Sequence, residues 1–343
     1  MEHYDLHEAA RLGTLKTIPA NALLAKRLLV RNASGTTPLH LIARHGGLSQ
    51  VSPDIFVEEN LLLRNASGYT PLHHAAEGGQ LDCIPRVFFN ERVLCTASNS
   101  GYTVFHVAAA YGHLDQIPAD LLTDEVITSK THLGNTLLHE AAENGTLDRI
   151  PPQFISLKNL LERNLGGETV FHVAAFNGHL EQISPAFLTA DALLQTTTSG
   201  DTVFHAAAIA GHLDQIPAEL LTYDHLVLTS RSGFTSIHAA AESGQLAKIP
   251  LEFMTAELLL TRNDHGDTPL HAAAHEGHLD QIPPVLLTKE HLNTRNNYGV
   301  SVGRTAITRG HTAQIPEPLR PKKRGPVGKF LERLGLIRPP LFS

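Results

Sequence analysis

The stretch Gly266-Asp267-Thr268-Pro269-Leu270-His271-Ala272-Ala273-Ala274-His275-Glu276-Gly277-His278-Leu279-Asp280-Gln281-Ile282-Pro283 recurs along the chain at a fixed step of 33 residues. Its first histidine stands at His7, His40, His73, His106, His139, His172, His205, His238 and His271, and Arg304 takes this place in the tenth copy. A glycine follows six residues later in every copy, at Gly13, Gly46, Gly79, Gly112, Gly145, Gly178, Gly211, Gly244, Gly277 and Gly310. Because no insertion or deletion interrupts the series, we predict one array in which each copy stacks on its neighbours.

Length and composition fit such an array. A chain of 343 residues would ordinarily form two or three globular domains, but the period replaces that estimate with units that cannot fold alone. Aromatic residues make up only 6% of the chain, and tryptophan is absent. We therefore expect thin layers of leucine, isoleucine and alanine between the copies.

A Gly-x-Thr sequence opens each copy and predicts where its first helix begins. A threonine hydroxyl can accept hydrogen bonds from the free N–H groups of a helix, and a proline in the first helical position lacks an N–H that would be unpaired anyway. Pro38, Pro71 and Pro269 stand at that position. The threonines that we expect to cap the helices are Thr37, Thr70, Thr103, Thr136, Thr169, Thr202, Thr235 and Thr268, with Ser301 in the last copy. The later glycine should end each helix in a left-handed conformation.

The combined pattern Gly-x-Thr-Pro-Leu-His-x-Ala-Ala-x-x-Gly-His-Leu resembles the signature of the ankyrin repeat, a family with the same 33-residue period. The resemblance covers residues 1–315. It implies an all-α, ankyrin-type solenoid of about ten helix-turn-helix repeats, in which antiparallel helices are joined by hairpin-like loops and stack into a curved array. The first and tenth copies depart from the pattern, and we interpret them as caps.

The second half of each copy departs from that family. Residues 249–263 show its form, Ile-Pro-x-x-Leu-Leu-Thr-x-Glu-x-Leu-Leu-x-Arg-Asn in outline, with Phe253-Met254 in place of the first leucine pair. Proline can begin a helix but not lie inside one, so we expect the second helix to start there. A further capping residue follows at Thr123, Ser156, Thr189, Thr222, Thr255 and Thr288. These signals favour a short turn followed by a second short helix, with one bent helix as the alternative.

The last part of the chain, residues 316–343, is predicted to be a separate basic, proline-rich tail. It carries a net charge of +5, which leaves −12 on residues 1–315. A short amphipathic helix is expected from Val327 to Ile337. The cluster from Arg320 to Arg324 resembles a targeting or anionic-surface signal, although a solvated end of the chain explains it equally simply.

Twenty-two histidines invite a metal or catalytic interpretation. Most of them occupy fixed positions of the repeat, so equivalent histidines lie in successive layers. Histidines in layers about 8–10 Å apart cannot bring two ring nitrogens to about 2 Å from one ion. We expect them instead to tie the loops of adjacent repeats by hydrogen bonds. No nucleophile elbow, phosphate loop or metal-binding motif occurs. The sequence therefore predicts no metal, no cofactor and no enzyme activity.

Positions that the repeat leaves variable are free to contact a partner. They are the residue after the opening glycine, at each loop tip, and the exposed side of the first helix. Aromatic and apolar residues at such positions are common binding anchors, although some of them could simply pack on neighbouring tips. The candidate contact residues are Tyr69, Tyr102, Tyr111, Phe176, Ile209, Phe234 and His275.

From these features we predict a scaffold for protein–protein interaction that binds a macromolecular partner on a concave surface of loop tips and first helices. The acidic array favours a protein partner of basic or mixed charge, and neither nucleic acid nor a membrane is expected to bind it. We expect a cytoplasmic protein, since two cysteines give no disulfide framework and no signal peptide is visible. We also expect it to be a monomer. The alternative is an effector or targeting protein, exported into a host cell, whose basic tail docks it on nucleic acid or an anionic membrane.

Overall fold

The computed structural model describes residues 5–19 and 23–320. The regular structure within these ranges is helical, apart from three isolated β-bridges at loops, Thr196–Thr202, Thr229–Thr235 and Arg295–Ser301. This confirms the all-α fold. The chain divides into two compact units, an N-terminal unit of Met1–Ser184 and a C-terminal unit of Pro185–Ser343.

The first half of each repeat forms the predicted helix, called here the long helix. In each unit the long helices of consecutive repeats contact one another. The long helices of the N-terminal unit are Leu6–Arg11, Pro38–His45, Pro71–Glu77, Val104–Tyr111, Leu137–Asn144 and Val170–Asn177. Those of the C-terminal unit are Val203–Ala210, Ser236–Glu242, Pro269–Glu276 and Val302–Thr308.

Threonine caps these helices as predicted, and the histidine completes the cap. The Thr103 hydroxyl accepts from the His106 N–H at 3.4 Å, while Nδ1 of His106 accepts from the Thr103 N–H at 3.4 Å. This reciprocal pair is a capping box in which histidine replaces the usual glutamate. At the other end, Gly112 lies in the left-handed region with φ 74° and ψ 27°, as expected of a C-terminal glycine.

The second half of each repeat contains no continuous helix. A 3₁₀ turn such as Leu114–Gln116 follows the glycine, an extended Ile-Pro pair comes next, and a second 3₁₀ turn such as Ala119–Leu121 follows the proline. A short α-helix closes the repeat, at Ala25–Leu28, Glu58–Leu61, Glu91–Leu94, Asp124–Ile127 and Leu157–Leu160 in the N-terminal unit and at Ala190–Leu193, Tyr223–Leu226, Ala256–Leu259 and Lys289–Asn293 in the C-terminal unit.

This arrangement decides between the two alternatives left by the sequence. The predicted short turn followed by a short helix is confirmed, because Leu122 and Thr123 are extended between the two and Thr123 caps the helix through the Val126 N–H at 3.3 Å. One bent helix is wrong. The second helix was also expected to start at the proline. Only a single 3₁₀ turn starts there, and the short α-helix begins several residues later.

Three sets of side-chain hydrogen bonds join consecutive repeats. Histidine Nε2 bonds a loop-tip carbonyl of the next repeat, as between His73 and Tyr102 at 2.9 Å, which confirms the predicted role of the histidines. The arginine before the loop donates to the backbone carbonyl of the residue at its own position in the next repeat, as Arg64 does to Ala97 at 2.7 Å. The third set comes from Gln116, which accepts from the N–H of Leu81 at 3.0 Å and donates to the carbonyl of Gly79 at 3.1 Å.

Buried small residues let the long helices approach closely. Ala75, Ala108 and Ala141 are fully buried between layers, each beside a bulky anchor of its own helix such as Phe105. At Gly78 even a methyl group is excluded, because an added Cβ would collide with the Arg44 carbonyl of the preceding long helix. The core is therefore a series of thin layers, as the composition predicted.

The start of the predicted tail continues the repeat. Residues Glu317–Leu319 form the same 3₁₀ turn that follows the proline elsewhere. Arg320, assigned from sequence to the basic cluster, donates to the carbonyls of Ile315 at 2.7 Å and Ala313 at 2.6 Å. The expected helix from Val327 to Ile337 and the rest of the basic cluster lie outside the described residues. The two cysteines are free, and Cys95 is exposed.

Candidate functional site

A groove of about 410 Å³ opens on the N-terminal unit, across the second to fifth repeats. Loop tips form one side of its lining and long helices the other. We call it the acidic groove, and its lining residues are Arg44, Asn65, Ser67, Tyr69, His74, Glu77, Tyr102, Val107, Ala110, Tyr111, Glu140, Glu143 and Asn144. Three of the seven candidate contact residues, Tyr69, Tyr102 and Tyr111, are therefore brought together in one concave site.

These tyrosines are less uniformly exposed than the sequence suggested. Tyr111 is 49% exposed, but Tyr69 and Tyr102 are half-buried. The Tyr69 ring leans on His73 at 5.1 Å between ring centroids, and Tyr102 leans on His106 at 6.1 Å. Burial raises the pKa of all three phenols above its usual range, so they stay neutral at physiological pH. Two of the rings thus pack on the motif histidine of the following helix, and both still line the groove.

A small side chain in the fourth repeat makes room for the groove. Four residues after the motif histidine, neighbouring repeats carry Arg44, Glu77 and Glu143, whereas the fourth repeat carries Ala110. Tyr111 lies one position further along the helix than these residues. Its hydroxyl nevertheless donates to Glu77 at 3.2 Å, so its ring reaches the same groove.

Glu77 is the most heavily bonded acid of the groove. Its carboxylate accepts from Arg44 at 2.6 Å and lies 3.1 Å from Nδ1 of His74. Burial alone would raise the pKa of Glu77, but the bond to His74 and the charge of Arg44 outweigh it and lower that pKa. Glu77 is therefore ionised and already balanced by a cation of the protein.

Glu140 is a groove residue that sequence reasoning missed. It is 2% exposed, and Asn135 donates to its carboxylate at 3.0 Å. Burial raises the pKa of Glu140, and repulsion from Glu143 adds to the effect. The position after the motif histidine is the exposed Glu8 in the first repeat and Leu41, His74, Val107, Val173 or alanine in the others, so a buried acid there is exceptional. This departure from the pattern was the signal that could have identified it.

A second groove, also of about 410 Å³, lies on the C-terminal unit. The candidate residues Phe234 and His275 both line it, together with Asp267 and Arg309. Phe234 is half-buried against His238 at 5.3 Å, and His275 is exposed, with Nδ1 2.5 Å from Glu276 and Nε2 in contact with Arg309. The other two candidates, Phe176 and Ile209, are exposed but line neither of these grooves.

The buried histidines offer no metal site. Within the ranges that the structure describes, no group of three or more histidine, cysteine or acidic side chains is arranged to hold an ion. The backbone N–H of Thr37 can only donate, so Nδ1 of His40 must accept and the proton resides on Nε2. Burial lowers the pKa of His40 to about 4, and the ring is neutral. Both nitrogens are thus used within the fold.

Comparison with known families identifies the repeats. Residues 48–119 match the sequence profile of ankyrin repeats in three copies, and residues 265–297 match that of a single ankyrin repeat. The chain therefore contains ankyrin repeats. A search of curated proteins finds no match. Ankyrin repeats are generally protein–protein interaction modules without catalytic activity.

The family assignment agrees with the geometry of this protein. The matched segment 48–119 contains Tyr69, Tyr102 and Tyr111 and therefore much of the acidic groove. No helix among the described residues of this protein is long and apolar enough to cross a bilayer.

Proposed function

We propose that this protein is a non-catalytic scaffold, which as a monomer binds a protein partner of basic or mixed charge through the acidic groove. The observation that carries the proposal is the convergence of three tyrosines with Glu77, Glu140 and Glu143 in one concave site. Interface hot spots are enriched in tyrosine and lie in pockets that exclude water.

Charge supports the same kind of partner. Residues 1–315 carry a net charge of −12, which attracts basic proteins and repels nucleic acid. Rim charges act mainly on the rate of association, whereas half-buried aromatic rings hold the complex together. Raising the salt concentration should therefore slow association without abolishing binding.

The partner is to be identified by affinity purification with crosslinking from the native cell, and its affinity then measured by titration calorimetry. Replacing Tyr69, Tyr102 and Tyr111 together by alanine should weaken binding about a hundredfold or more. The matched control replaces Tyr298, which is 71% exposed outside both grooves, and should leave binding unchanged. Circular dichroism must show that the triple variant is folded.

Two results would refute the proposal. One is normal binding of the partner by the folded triple variant. The other is complete loss of binding on deletion of residues 316–343 alone, which would place the contact in the tail and favour the targeting alternative.

A further inference from the structure

The acidic groove carries negative charge that the protein does not balance. Within residues 5–19 and 23–320, Glu140 and Glu143 form no salt bridge, whereas Glu77 is paired with Arg44. Two carboxyl groups thus line the groove without a salt bridge of their own. Glu143 is exposed, but Glu140 is buried, and buried acids are ordinarily paired because an isolated charge away from water is costly.

His74 adds an unused hydrogen-bond acceptor to the lining. An ionised Glu77 can only accept, so the tautomer of His74 that bonds it carries its proton on Nδ1, which faces that carboxylate at 3.1 Å. Nε2 is then a bare acceptor, and it is buried with no hydrogen-bond partner among the described residues. The unsatisfied buried atom of the lining is therefore an acceptor, and the carboxylates of Glu140 and Glu143 are acceptors as well. They call for a ligand that only donates.

The tyrosine rings narrow the choice of ligand further. Aromatic faces attract cations, and a planar guanidinium stacks on a ring while its edge donates to carboxylates. Arginine is donor-only, with five N–H groups in a fixed plane. At one end of the groove the protein itself brings a guanidinium and a phenol to one carboxylate, since Arg44 and the Tyr111 hydroxyl both bind Glu77.

We propose that the acidic groove is a receptor for one arginine side chain of the protein partner. The guanidinium lies among the rings of Tyr69, Tyr102 and Tyr111 and donates to Glu140, Glu143 and Nε2 of His74. This inference rests on the proposed function and specifies the part of the partner that enters the groove.

The test uses the full-length protein labelled with 3-fluorotyrosine and observed by fluorine NMR. The chain has six tyrosines, of which Tyr223 and Tyr298 lie outside the groove and serve as internal references. The probe is N-acetyl-arginine amide, and N-acetyl-citrulline amide is the control of nearly the same shape without charge. Both are titrated to about 50 mM at constant ionic strength, since a single side chain is expected to bind at about millimolar concentration.

Arginine should shift the signals of Tyr69, Tyr102 and Tyr111, assigned from single Tyr→Phe variants, and leave the two references unchanged. Citrulline should shift none of them. The double variant Glu140→Gln with Glu143→Gln should weaken the arginine effect about tenfold or more. Glu242→Gln, the matched helix position in the C-terminal unit, should have no effect.

Equal shifts with arginine and citrulline, or no selective shift of the groove tyrosines, would overturn the arginine assignment. The proposed function would survive that result if the triple tyrosine variant still lost its partner. Normal partner binding by the triple variant, in contrast, would refute the proposed function whatever the arginine titration shows.

Discussion

At the scale of single residues, the motif histidine does three structural tasks at once. In the fourth repeat Nδ1 of His106 accepts from the Thr103 N–H, and Nε2 reaches a carbonyl of the next loop, that of Ser129, at 3.1 Å. The His106 ring also packs against the ring of Tyr102 in the loop. Protonation of Nδ1 would remove the acceptor that completes the cap, and burial makes the added charge still less favourable. The histidines should therefore make the fold sensitive to acid.

The pH dependence has a definite sign. Burial lowers the pKa of His40, His73, His106 and His238 to about 4 from an ordinary value of 6.5. The unfolded chain therefore binds protons between these values and the folded chain does not. Their stabilising contribution is complete above pH 6.5 and is lost as the pH falls toward about 4. Because one pKa unit corresponds to about 1.4 kcal/mol, the free energy of unfolding should drop by several kcal/mol.

Urea unfolding at a series of pH values checks this prediction, with the comparison kept above about pH 5, where most carboxylates remain ionised. The variant His106→Gln should be less stable at neutral pH and should also show a weaker dependence on pH. A free energy of unfolding that stays constant from pH 7 to about 5 would contradict the neutral, buried state of these rings.

At the scale of elements, stacking depends on side chains whose partners lie one repeat away. Gln116 forms two bonds to the preceding repeat, and Gln182 forms the equivalent bonds to Leu147 at 2.9 Å and Gly145 at 2.8 Å. These glutamines join 3₁₀ turns that have few backbone bonds of their own. They compensate for the absence of a continuous second helix.

We predict that Gln116→Ala lowers stability by about 1–3 kcal/mol, because the Leu81 N–H loses its acceptor in a part-buried site. The direct readout is hydrogen exchange of the Leu81 amide, which should become faster. Arg149→Ala alters the equivalent position of the next repeat, an exposed side chain, and should cost less than about 0.5 kcal/mol. An unchanged exchange rate at Leu81 would mean that this bond does not form in solution.

The layer between long helices gives a second prediction at this scale. Ala207 is fully buried, so Ala207→Leu should overpack the layer and cost about 1–3 kcal/mol in thermal unfolding. The same substitution at the exposed Ala218 should be nearly neutral. If both variants melt alike, Ala207 does not lie in a closely packed layer.

The sequence predicted the elements that depend on local signals and missed those that depend on stacking. The step of 33 residues, the threonine caps and the terminal glycines are readable within one repeat. The glutamine bonds and the burial of Glu140 are not, because a glutamine or glutamate in a single helical turn looks like an ordinary exposed residue. For the same reason the sequence left open whether Tyr69 and Tyr102 are exposed or packed, and the adjacent histidine rings half-bury them.

At the scale of the whole molecule, the two units differ in the chemistry of their grooves. The groove of the N-terminal unit combines three tyrosines with uncompensated carboxylates, whereas that of the C-terminal unit contains Asp267, Arg309 and two motif histidines. The predicted site residues are thus divided between two surfaces of different charge. Among the described residues that line the two grooves, only His74 of the first has an unsatisfied buried acceptor, which adds to the tyrosines and carboxylates on which the partner is assigned to that groove.

The central claim is that a protein partner occupies the acidic groove, and site-specific photocrosslinking tests it most directly. A photoreactive amino acid is placed at Ser67, an exposed residue of the groove lining, or at Val87, which is 79% exposed outside it. The account predicts that the purified partner is crosslinked from Ser67, at a segment containing an arginine, and not from Val87. Crosslinking of equal yield from both positions, or from Val87 alone, would contradict it.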